Sequence, residues 1–452
     1  MAQATRCRRD VACIVLGMMF GIGLVTGSVM GNEWTRFRGS NGNSIANESK
    51  HPQQWAEDSN IAWKVKIPGR GWSQPVVAGD KVFVTTAVAE NEEKPKRSDG
   101  GLPAGARDAT KDDYQWKVLC LSLKTGKVVW EQTPYEGKPA TPKHRGNTYA
   151  SETPVTDGER VVAYFGMKGV VCYDLAGKQL WKKSLGEFPM QAGWGSGSSP
   201  IIVGDAVVIQ CDNMESSFLV GLDKKTGDEL WRIARDEKSN WSTPYLWKNK
   251  LRTELVVAGG QKMRSYDPVT REVLWEMAGS GRTSVSPVGD DEMLYVDSVD
   301  WFQGNPGRFA AIRAGATGDI SLTDAKTTSS EFVAWSQMFK SYRNSSPLLY
   351  GGGLYMLDQV GGIVRCFDPK TGKLLYQQRL PEGTGFAASP WVNDGKVFLL
   401  DDSGITFVIE PGSEFKLHSS NRLDDEIFWS SAAISGDQLL LRGQQHLYCI
   451  RK

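Results

Sequence analysis

The fold of this chain is decided by the stretch SPIIVGDAVVIQCDNMESSFLVGLDKKTGDELW, residues 199–231. It runs from a hydroxyl residue and Pro200 through a Gly-Asp turn and two apolar segments to Asp223, and then through Thr-Gly to Trp231. Apolar runs without strict alternation are typical of strands buried on both faces. Asp accepts turn N–H groups and Gly takes the positive φ of a hairpin corner, so both mark turns. The stretch therefore predicts short consecutive strands of one antiparallel sheet.

The same unit recurs along the chain. Its proline stands at seven places and an alanine takes the eighth: Pro75, Pro154, Pro200, Pro244, Pro287, Pro347, Pro390 and Ala432. Five of the seven gaps are close to 43 residues, and the two longer gaps indicate insertions at about 88–115 and 297–331. A repeat of about 40–50 residues with four short strands has the length of a propeller blade. We therefore predict an all-β, eight-bladed β-propeller of four-stranded antiparallel blades. The tryptophan after the Thr-Gly corner is expected to fill the gap between neighbouring blades far from the axis, at Trp130, Trp181, Trp231 and Trp275.

The two ends of the repeat array predict how the ring closes. The last unit begins at Trp429 and stops before its outer strand, whereas residues 61–65, IAWKV, form such a strand without a blade of their own. A strand at about 60–67 that completes the last blade would leave no open sheet edge between the chain ends. The prediction is a propeller over residues 60–452, preceded by an N-terminal extension over residues 32–59.

The first 31 residues have the pattern of a secretory signal peptide. Arg6, Arg8 and Arg9 precede an apolar stretch over residues 11–30, and small residues follow near Ser28. The alternative is a retained anchor, because this stretch approaches the length of a membrane-spanning helix. We expect an exported protein, periplasmic or extracellular, with membrane contact only if the segment is retained.

Composition and cysteine placement exclude several classes of function. The net charge of +1 and the lack of basic segments interleaved with aromatics argue against nucleic-acid binding. Four of the five later cysteines, Cys120, Cys172, Cys366 and Cys449, occupy a place where other repeats have small residues, so we interpret them as small buried side chains. The four histidines are isolated, and metal-ligand spacing is absent from the sequence.

Candidate binding residues are the aromatics that precede the innermost strand of most blades. Innermost strands line the central channel of a propeller, so rings beside Ser, Thr and Asn there suit a planar or polymeric ligand. These residues are Trp72, Tyr149, Trp194, Trp241, Tyr342, Phe386 and Trp429. The connection between blades 1 and 2 adds His144, Arg145 and Asn147, which could meet an anionic group. Packing at the blade tops and a solvated connector are the alternatives for the two sets.

The sequence resembles the PQQ-enzyme-type repeat family of β-propellers over essentially all of residues 60–452. The segments that carry the resemblance are YASETPVTDG (149–158), GWGSGSSP (193–200), WSTP (241–244) and, before the propeller, WTRFRGSNG (34–42). That family includes quinoprotein alcohol dehydrogenases and the propeller subunit of the outer-membrane β-barrel assembly machinery. The resemblance implies the fold and leaves the activity open, because the family contains enzymes and non-enzymes.

Three functions follow from the resemblance and the candidate residues. We expect a monomeric, non-catalytic scaffold without a cofactor that binds a protein or polymer partner in the cell envelope. The alternative is a PQQ- and calcium-dependent alcohol dehydrogenase, in which Asn305 of Gly304-Asn305-Pro306 would be a metal ligand. The residues that follow, Gly307-Arg308, depart from the enzyme pattern, and adjacent cysteines are absent. A carbohydrate-binding propeller is the second alternative, suggested by the tryptophans.

Overall fold

The structure is a computed structural model that describes residue 1 and residues 33–46, 49–90, 112–278, 283–297, 307–339, 343–423 and 426–452. Within these residues the strands form eight sheets, and each contains four antiparallel strands hydrogen-bonded in succession. Two single-turn 3-10 helices, Gly166–Lys168 and Gln191–Gly193, are the helical segments of this described part. The predicted all-β, eight-bladed propeller is confirmed.

The strands of the first four blades follow one another along the chain. Blade 1 contains Val76–Ala78, Lys81–Val88, Tyr114–Ser122 and Val128–Gly137. Blade 2 contains Val155–Thr156, Arg160–Tyr164, Val170–Asp174 and Gln179–Lys183. Blade 3 contains Ile201–Val203, Ala206–Cys211, Ser217–Asp223 and Glu229–Arg235. Blade 4 contains Tyr245–Lys248, Thr253–Val257, Lys262–Tyr266 and Val273–Ala278.

The last four blades include the closing strand. Blade 5 contains Val288–Gly289, Met293–Asp297, Gly307–Arg313 and Val333–Phe339. Blade 6 contains Leu348–Tyr350, Gly353–Leu357, Ile363–Phe367 and Leu374–Arg379. Blade 7 contains Trp391–Asn393, Lys396–Leu400, Ile405–Ile409 and Leu417–Arg422. Blade 8 contains Ala433–Ser435, Gln438–Arg442 and His446–Ile450, and Ile61–Lys66 is its outer strand. Trp63 lies opposite Cys449 in that pair, so the predicted closure is confirmed.

Two further short strands lie outside the four-stranded pattern. Gly318–Asp319, from the predicted blade-5 insertion, pairs in parallel with Trp275 and Glu276 on the outer edge of blade 4. Ile45–Ala46, from the predicted N-terminal extension, pairs in parallel with Val392 and Asn393 on the inner strand of blade 7. Much of the predicted blade-1 insertion lies outside the described residues.

Outer tryptophans seal the wide rim between blades. The indole N–H of Trp130 donates to the carbonyl of Leu175 in the next blade, at 3.1 Å. Its ring covers Gly177, whose φ is 92° and where a Cβ would lie 2.9 Å from the indole. The same arrangement joins Trp63 to Leu123, Trp181 to Lys224 and Trp335 to Pro369. The predicted role of Trp130 and Trp181 as gap-filling side chains is therefore confirmed.

The outer tryptophans of blades 3 and 4 differ from this arrangement. Trp275 donates its indole N–H to Glu254 of its own blade at 2.7 Å, and the strand Gly318–Asp319 runs beside it. Trp231 packs on Gly221 of its own blade. The next turn carries Arg271 in place of glycine, with a φ of 69°, and its guanidinium lies 5.8 Å from the Trp231 ring centre. Trp231 and Trp275 thus depart from the predicted contact with the next blade, where the turn carries Arg271 or an added strand runs beside the blade.

Hydroxyl side chains join the blades close to the axis. In seven of the eight blade contacts, the residue before the repeat proline donates its backbone N–H to the hydroxyl of its counterpart in the next blade. The hydroxyls belong to Thr153, Ser199, Thr243, Ser286, Ser346, Ser389 and Ser431, with N···O distances of 2.9–3.1 Å. Gln74 occupies this place in blade 1, and its amide donates to the carbonyl of Ala432 across the closing contact. Arg442 adds bonds to the carbonyl and hydroxyl of Ser73 there.

The two ends of the central channel are defined by the course of the innermost strands. We call the end where the chain enters these strands the loop end, and the end with the tight turns into the second strands the turn end. The predicted extension runs across the turn end. The carbonyls of Trp34, Thr35 and Ser44 accept N–H bonds from the innermost strands of blades 1, 2 and 7, at Val77, Thr156 and Val392.

Arg38 carries the extension into the middle of the channel. Its backbone N–H donates to the Gln74 side chain at 2.7 Å, and its guanidinium donates to the carbonyls of Pro287 at 2.9 Å and Pro347 at 2.7 Å. Arg38 has a φ of 64°, which is uncommon for a residue other than glycine. Burial lowers the pKa of its guanidinium to about 10. A charged side chain thus links blades 1, 5 and 6 from inside the ring.

Candidate functional site

Five of the predicted aromatic and titratable residues lie at the loop end in two groups of contacting rings, which the loop over residues 144–147 connects. We call Trp429, Trp72, His144, Trp194 and Trp241 the aromatic arc. The Trp72 and Trp429 ring centres are 5.3 Å apart, those of His144 and Trp194 6.2 Å, and those of Trp194 and Trp241 5.5 Å. The arc extends from blade 8 to blade 4. Trp194, Trp241, Trp429 and His144 are half-buried, so part of each ring remains accessible.

Backbone contacts hold the arc in place. Trp72 donates its indole N–H to the carbonyl of Gly146 at 2.7 Å, and Trp241 donates to that of Gly195 at 2.6 Å. Gly146 also packs against the Trp429 ring, since a Cβ there would lie 2.6 Å from the indole. The Asn147 amide donates to the carbonyls of Trp194 at 2.8 Å and Ser196 at 3.0 Å. The rings are therefore ordered before any ligand arrives.

The other predicted site residues lie elsewhere. Arg145 is exposed in the same loop as His144, and Asn147 connects that loop to blade 3. Tyr149 is buried between blades 1 and 2 against Tyr114 and Trp116, and its hydroxyl donates to the carbonyl of Thr141. Phe386 is fully buried in the core between blades 6 and 7. Tyr342 lies outside the described residues. Ligand contact by any of these residues stays a prediction.

A cleft opens beside the arc, between blades 2, 3 and 4. The apolar residues of its lining, here called the apolar wall, are Met167, Leu185, Phe188 and Met190. The polar residues of its lining are Ser196, Ser198, Gln210, Asp212, Asn213 and Asn240. Its residues come from the loops entering blades 3 and 4 and from the ends of the second strands of blades 2 and 3. We call it the loop-end cleft.

Three polar atoms that line the cleft are buried without a hydrogen-bond partner. They are the Ser198 hydroxyl, the Gln210 Oε1 and the Asn240 Nδ2. The orientation of both amides follows from their other bonds. Gln210 Nε2 donates to Asp212 at 2.7 Å and to the Ala258 carbonyl at 2.6 Å, and Asn240 Oδ1 accepts the N–H of Ser242 at 3.0 Å. A buried polar group without a partner costs about 1–3 kcal/mol, so these three atoms are candidates for hydrogen bonds to a ligand.

Glu152 lies directly behind the cleft wall. Its carboxyl oxygen Oε1 would be 3.3 Å from a Cβ at Gly166, a cleft residue, and it also has no hydrogen-bond partner. Only 2% of the residue is exposed. Burial raises the pKa of the Glu152 carboxyl to about 7, a rise that the Ser196 hydroxyl partly offsets. The carboxyl can therefore exchange a proton near neutral pH, close to the cleft.

The other ionisable groups of the cleft are held by partners. Asp212 is fully buried and forms a two-bond ion pair with Arg235, at 2.8 and 3.1 Å. The Tyr164 hydroxyl contacts the Cys211 sulfur at 3.3 Å, and burial raises the pKa of both groups, that of Cys211 to about 12. The cleft therefore presents hydrogen-bonding groups rather than an unpaired charge.

The sequence predicts the residues of the aromatic arc as candidate binding residues, whereas it does not predict the cleft. Ser198, Asn240 and Glu152 lie within four residues of a repeat proline, and Ser198 and Glu152 lie inside the segments that carry the family resemblance. One sequence feature could have indicated the cleft. Ser198 is a second polar residue directly before Ser199, the residue whose hydroxyl joins the blades. Gln210 shows no such feature, because it lies near the end of an apolar strand. Its amide is oriented by bonds from Nε2 to Asp212 and to the carbonyl of Ala258, and the sequence does not predict that Ala258 lies beside it.

The calcium and PQQ site of the dehydrogenase alternative finds no matching set among the described residues. Asp297, the carboxylate closest in sequence to Asn305 that is described, is fully buried and receives two bonds of 2.6 Å from Arg343. No group of three His, Cys, Asp or Glu side chains within the described ranges could hold a metal ion. Asn305 itself lies outside those ranges. All five later cysteines are free and buried, so a disulfide wall for a quinone is not formed. Because the predicted metal ligand lies outside the described residues, the dehydrogenase alternative stays a prediction.

The repeats and the closed ring define an eight-bladed propeller of PQQ-type repeats. The family model described as outer membrane protein assembly factor BamB matches residues 88–243 and 250–451. Because these ranges cover more than half of the chain, the chain belongs to this family. No helix in the described part of the chain has the length and apolar character needed to cross a membrane.

Individual relatives are distant. Tetrathionate hydrolase from Acidithiobacillus ferrooxidans is 21% identical over 395 residues, covering 80% of this chain and 73% of that protein. The crystal structure of BamB from Moraxella catarrhalis has a TM-score of 0.55 at 13% identity and covers 87% of this chain and 97% of its own. A europium-containing methanol dehydrogenase has a TM-score of 0.58 at 11% identity, covering 92% and 98%. At these identities the similarity to the solved structures shows a shared fold.

Proposed function

We propose that this chain is an exported, non-catalytic propeller that binds a protein partner in the cell envelope through the aromatic arc at its loop end. The observation that carries the proposal is the set of three half-buried tryptophans, Trp194, Trp241 and Trp429, in the aromatic arc. Tryptophan is enriched in the energetic centres of protein interfaces, because it buries a large apolar area and retains an N–H donor.

The order of the arc supports this role. The hydrogen bonds from Trp72 and Trp241 to loop carbonyls fix the rings before binding, so little side-chain entropy is lost on docking. Among the described residues, the extension runs across the turn end, whereas the aromatic arc borders the loop end. Membership of a family described as an outer membrane protein assembly factor supports a protein partner in the envelope.

Crosslinking in the native envelope tests the proposal. The tagged chain is crosslinked in intact cells, purified and analysed by mass spectrometry, beside the double variant Trp194→Ala/Trp241→Ala. We expect one defined protein adduct that falls at least tenfold in the double variant. The matched control is Val269→Ala, because Val269 is an exposed apolar residue in an outer turn of blade 4. An adduct that is equally strong in the double variant, or a polysaccharide recovered in its place, would overturn the proposal.

Reconstitution separates the proposal from the dehydrogenase alternative. The purified protein is incubated with PQQ and Ca²⁺, and dye-linked alcohol oxidation is recorded. We expect no turnover above that of the free cofactor. Turnover that disappears in Asn305→Ala would establish the alternative instead.

A further inference from the structure

The loop-end cleft adjoins the aromatic arc. A Cβ at Gly197, in the cleft, would lie 3.5 Å from the Trp241 ring, and the carbonyl of Ser196 accepts the Asn147 amide at 3.0 Å. A partner that covers the arc therefore reaches the cleft without a gap. What enters the cleft is determined by the groups that line it.

The unpaired atoms require both a donor and an acceptor from the ligand. Gln210 Oε1 is an amide oxygen and can only accept, and the two bonds that Nε2 donates set the orientation of this amide. Asn240 Nδ2 is an amide nitrogen and can only donate, and the bond that Oδ1 accepts from Ser242 sets the orientation of that amide. The Ser198 hydroxyl can do either. A peptide group offers one N–H and one C=O, which are the donor and the acceptor that the two amides lack.

The apolar wall favours an aliphatic side chain over a flat ring. Met167, Leu185 and Met190 are flexible or branched side chains without a planar face. Phe188 lies beside Gly186, where a Cβ would be 2.7 Å from its ring, and its plane makes an angle of 75° with that of Phe218. The ion pair between Asp212 and Arg235 leaves the lining without an unpaired charge, so a neutral ligand is matched.

We infer that the loop-end cleft binds an extended segment of the partner protein. One peptide group of that segment donates its N–H to Gln210 Oε1 and accepts from Asn240 Nδ2. The aliphatic side chain beside it packs against Met167, Leu185 and Met190. This inference rests on the proposed function, because the segment belongs to the partner that covers the arc, and it specifies what the partner presents.

Binding of a ligand in the cleft is measured from the methyl signals of two methionines that line it. The protein is labelled with ¹³C-methyl methionine, and Met167 and Met190 report on the cleft, while Met263 and Met277, buried in blade 4, report on distant changes. The probe is N-acetyl-leucine N-methylamide, which carries two peptide groups and one aliphatic side chain. N-acetyl-glycine N-methylamide lacks the side chain, and glucose tests the sugar alternative.

We expect the leucine probe to shift the Met167 and Met190 methyl signals saturably, and to leave Met263 and Met277 in place. The glycine probe should bind at least tenfold more weakly. Asn240→Asp should weaken the leucine probe at least tenfold, because it replaces the free donor by an acceptor and keeps the oxygen that Ser242 needs. Ser184→Ala, an exposed hydroxyl near the cleft, is the control and should bind as the parent does.

Three results would overturn the inference. They are shifts caused by glucose and not by the leucine probe, equal affinity for the leucine and glycine probes, and unchanged affinity in Asn240→Asp with an unchanged melting temperature. Absence of shifts at the highest soluble probe concentration would also overturn it. The envelope crosslink that depends on Trp194 and Trp241 is a separate readout. If it persists while the peptide probes fail, the cleft inference is wrong and the proposed function stands.

Discussion

The two ends of the central channel differ in how their polar groups are used. At the turn end, the extension crosses the ring and Arg38 donates from the channel centre to carbonyls of blades 5 and 6. At the loop end, Ser198, Gln210 and Asn240 each leave one buried atom unpaired around a single cleft. The same repeats build both ends. The difference between the described parts of the two ends comes from the non-repeat segments, and it is the basis for the proposal that the partner binds at the loop end.

Removal of the Arg38 side chain is the largest perturbation of the turn end. In Arg38→Ala the carbonyls of Pro287 and Pro347 lose their charged donors inside the ring. We expect the free energy of unfolding to fall by about 3 kcal/mol, since unpaired buried acceptors cost about 1–3 kcal/mol each. Urea unfolding of the purified protein measures the change. Arg36→Ala is the control, because the Arg36 side chain bonds within the extension, to the carbonyl of Ser40, and an equal loss in both variants would contradict the bridging role.

Glu152 makes the loop end sensitive to pH. The pKa of its carboxyl is about 7 in the folded protein, compared with an ordinary value of 4.5. The folded state therefore holds the proton more tightly than the unfolded state does. Its contribution to stability is complete below pH 4.5 and is lost as the pH rises towards 7, by about 3 kcal/mol. Unfolding free energies of the parent and of Glu152→Gln between pH 4.5 and 8 measure this loss. The two curves should diverge by that amount, and parallel curves would show that the carboxyl is not desolvated.

His51 gives the extension the opposite pH response. Burial lowers the pKa of its imidazole from 6.5 to about 4, and its Nδ1 lies 2.8 Å from the Pro52 carbonyl. The folded state therefore releases the proton more easily, and stability is complete above pH 6.5 and is lost as the pH falls towards 4, by about 3 kcal/mol. His51→Gln should abolish this acid-side slope in the same unfolding series. A slope that survives the substitution would assign it to other groups.

Two neighbouring serines give the smallest and most direct comparison. The Ser199 hydroxyl accepts the N–H of Thr153 across a blade contact, whereas the Ser198 hydroxyl has no partner. We expect Ser199→Ala to lower the free energy of unfolding by about 1 kcal/mol and Ser198→Ala to leave it unchanged within about 0.5 kcal/mol. Thermal and urea unfolding of both variants measure the difference. If Ser198→Ala costs as much as Ser199→Ala, the loop end contributes to stability as the blade contacts do.

The sequence predicts the fold well because each blade repeats the same local chemistry. The proline spacing and the strand at Ile61–Lys66 were sufficient for the blade number and the closure. The course of the extension could not be predicted, because Arg38 bonds to carbonyls almost 250 residues or more away, and no pattern specifies them. Glu254 is a similar case, since it receives the Trp275 indole where the repeat predicted a contact with the next blade.

The candidate site was predictable only in part for a related physical reason. Trp194 and Phe386 both precede a repeat proline, yet Trp194 is half-buried in the arc and Phe386 is fully buried. Which of them faces the channel depends on loop paths that differ between blades. The unpaired atoms of the cleft are even harder to predict from the sequence, because an atom is unpaired only when no neighbouring group in the fold forms a hydrogen bond with it.

The contrast between the two ends is tested most directly by photo-crosslinking from one position at each. A photoreactive amino acid replaces Arg145, exposed in the loop of the arc, or Asp437, exposed in the tight turn of blade 8. After irradiation of intact cells we expect a defined protein adduct from position 145 and none from position 437. An adduct from position 437 alone would place the partner at the turn end and contradict the assignment of the loop end as the binding face.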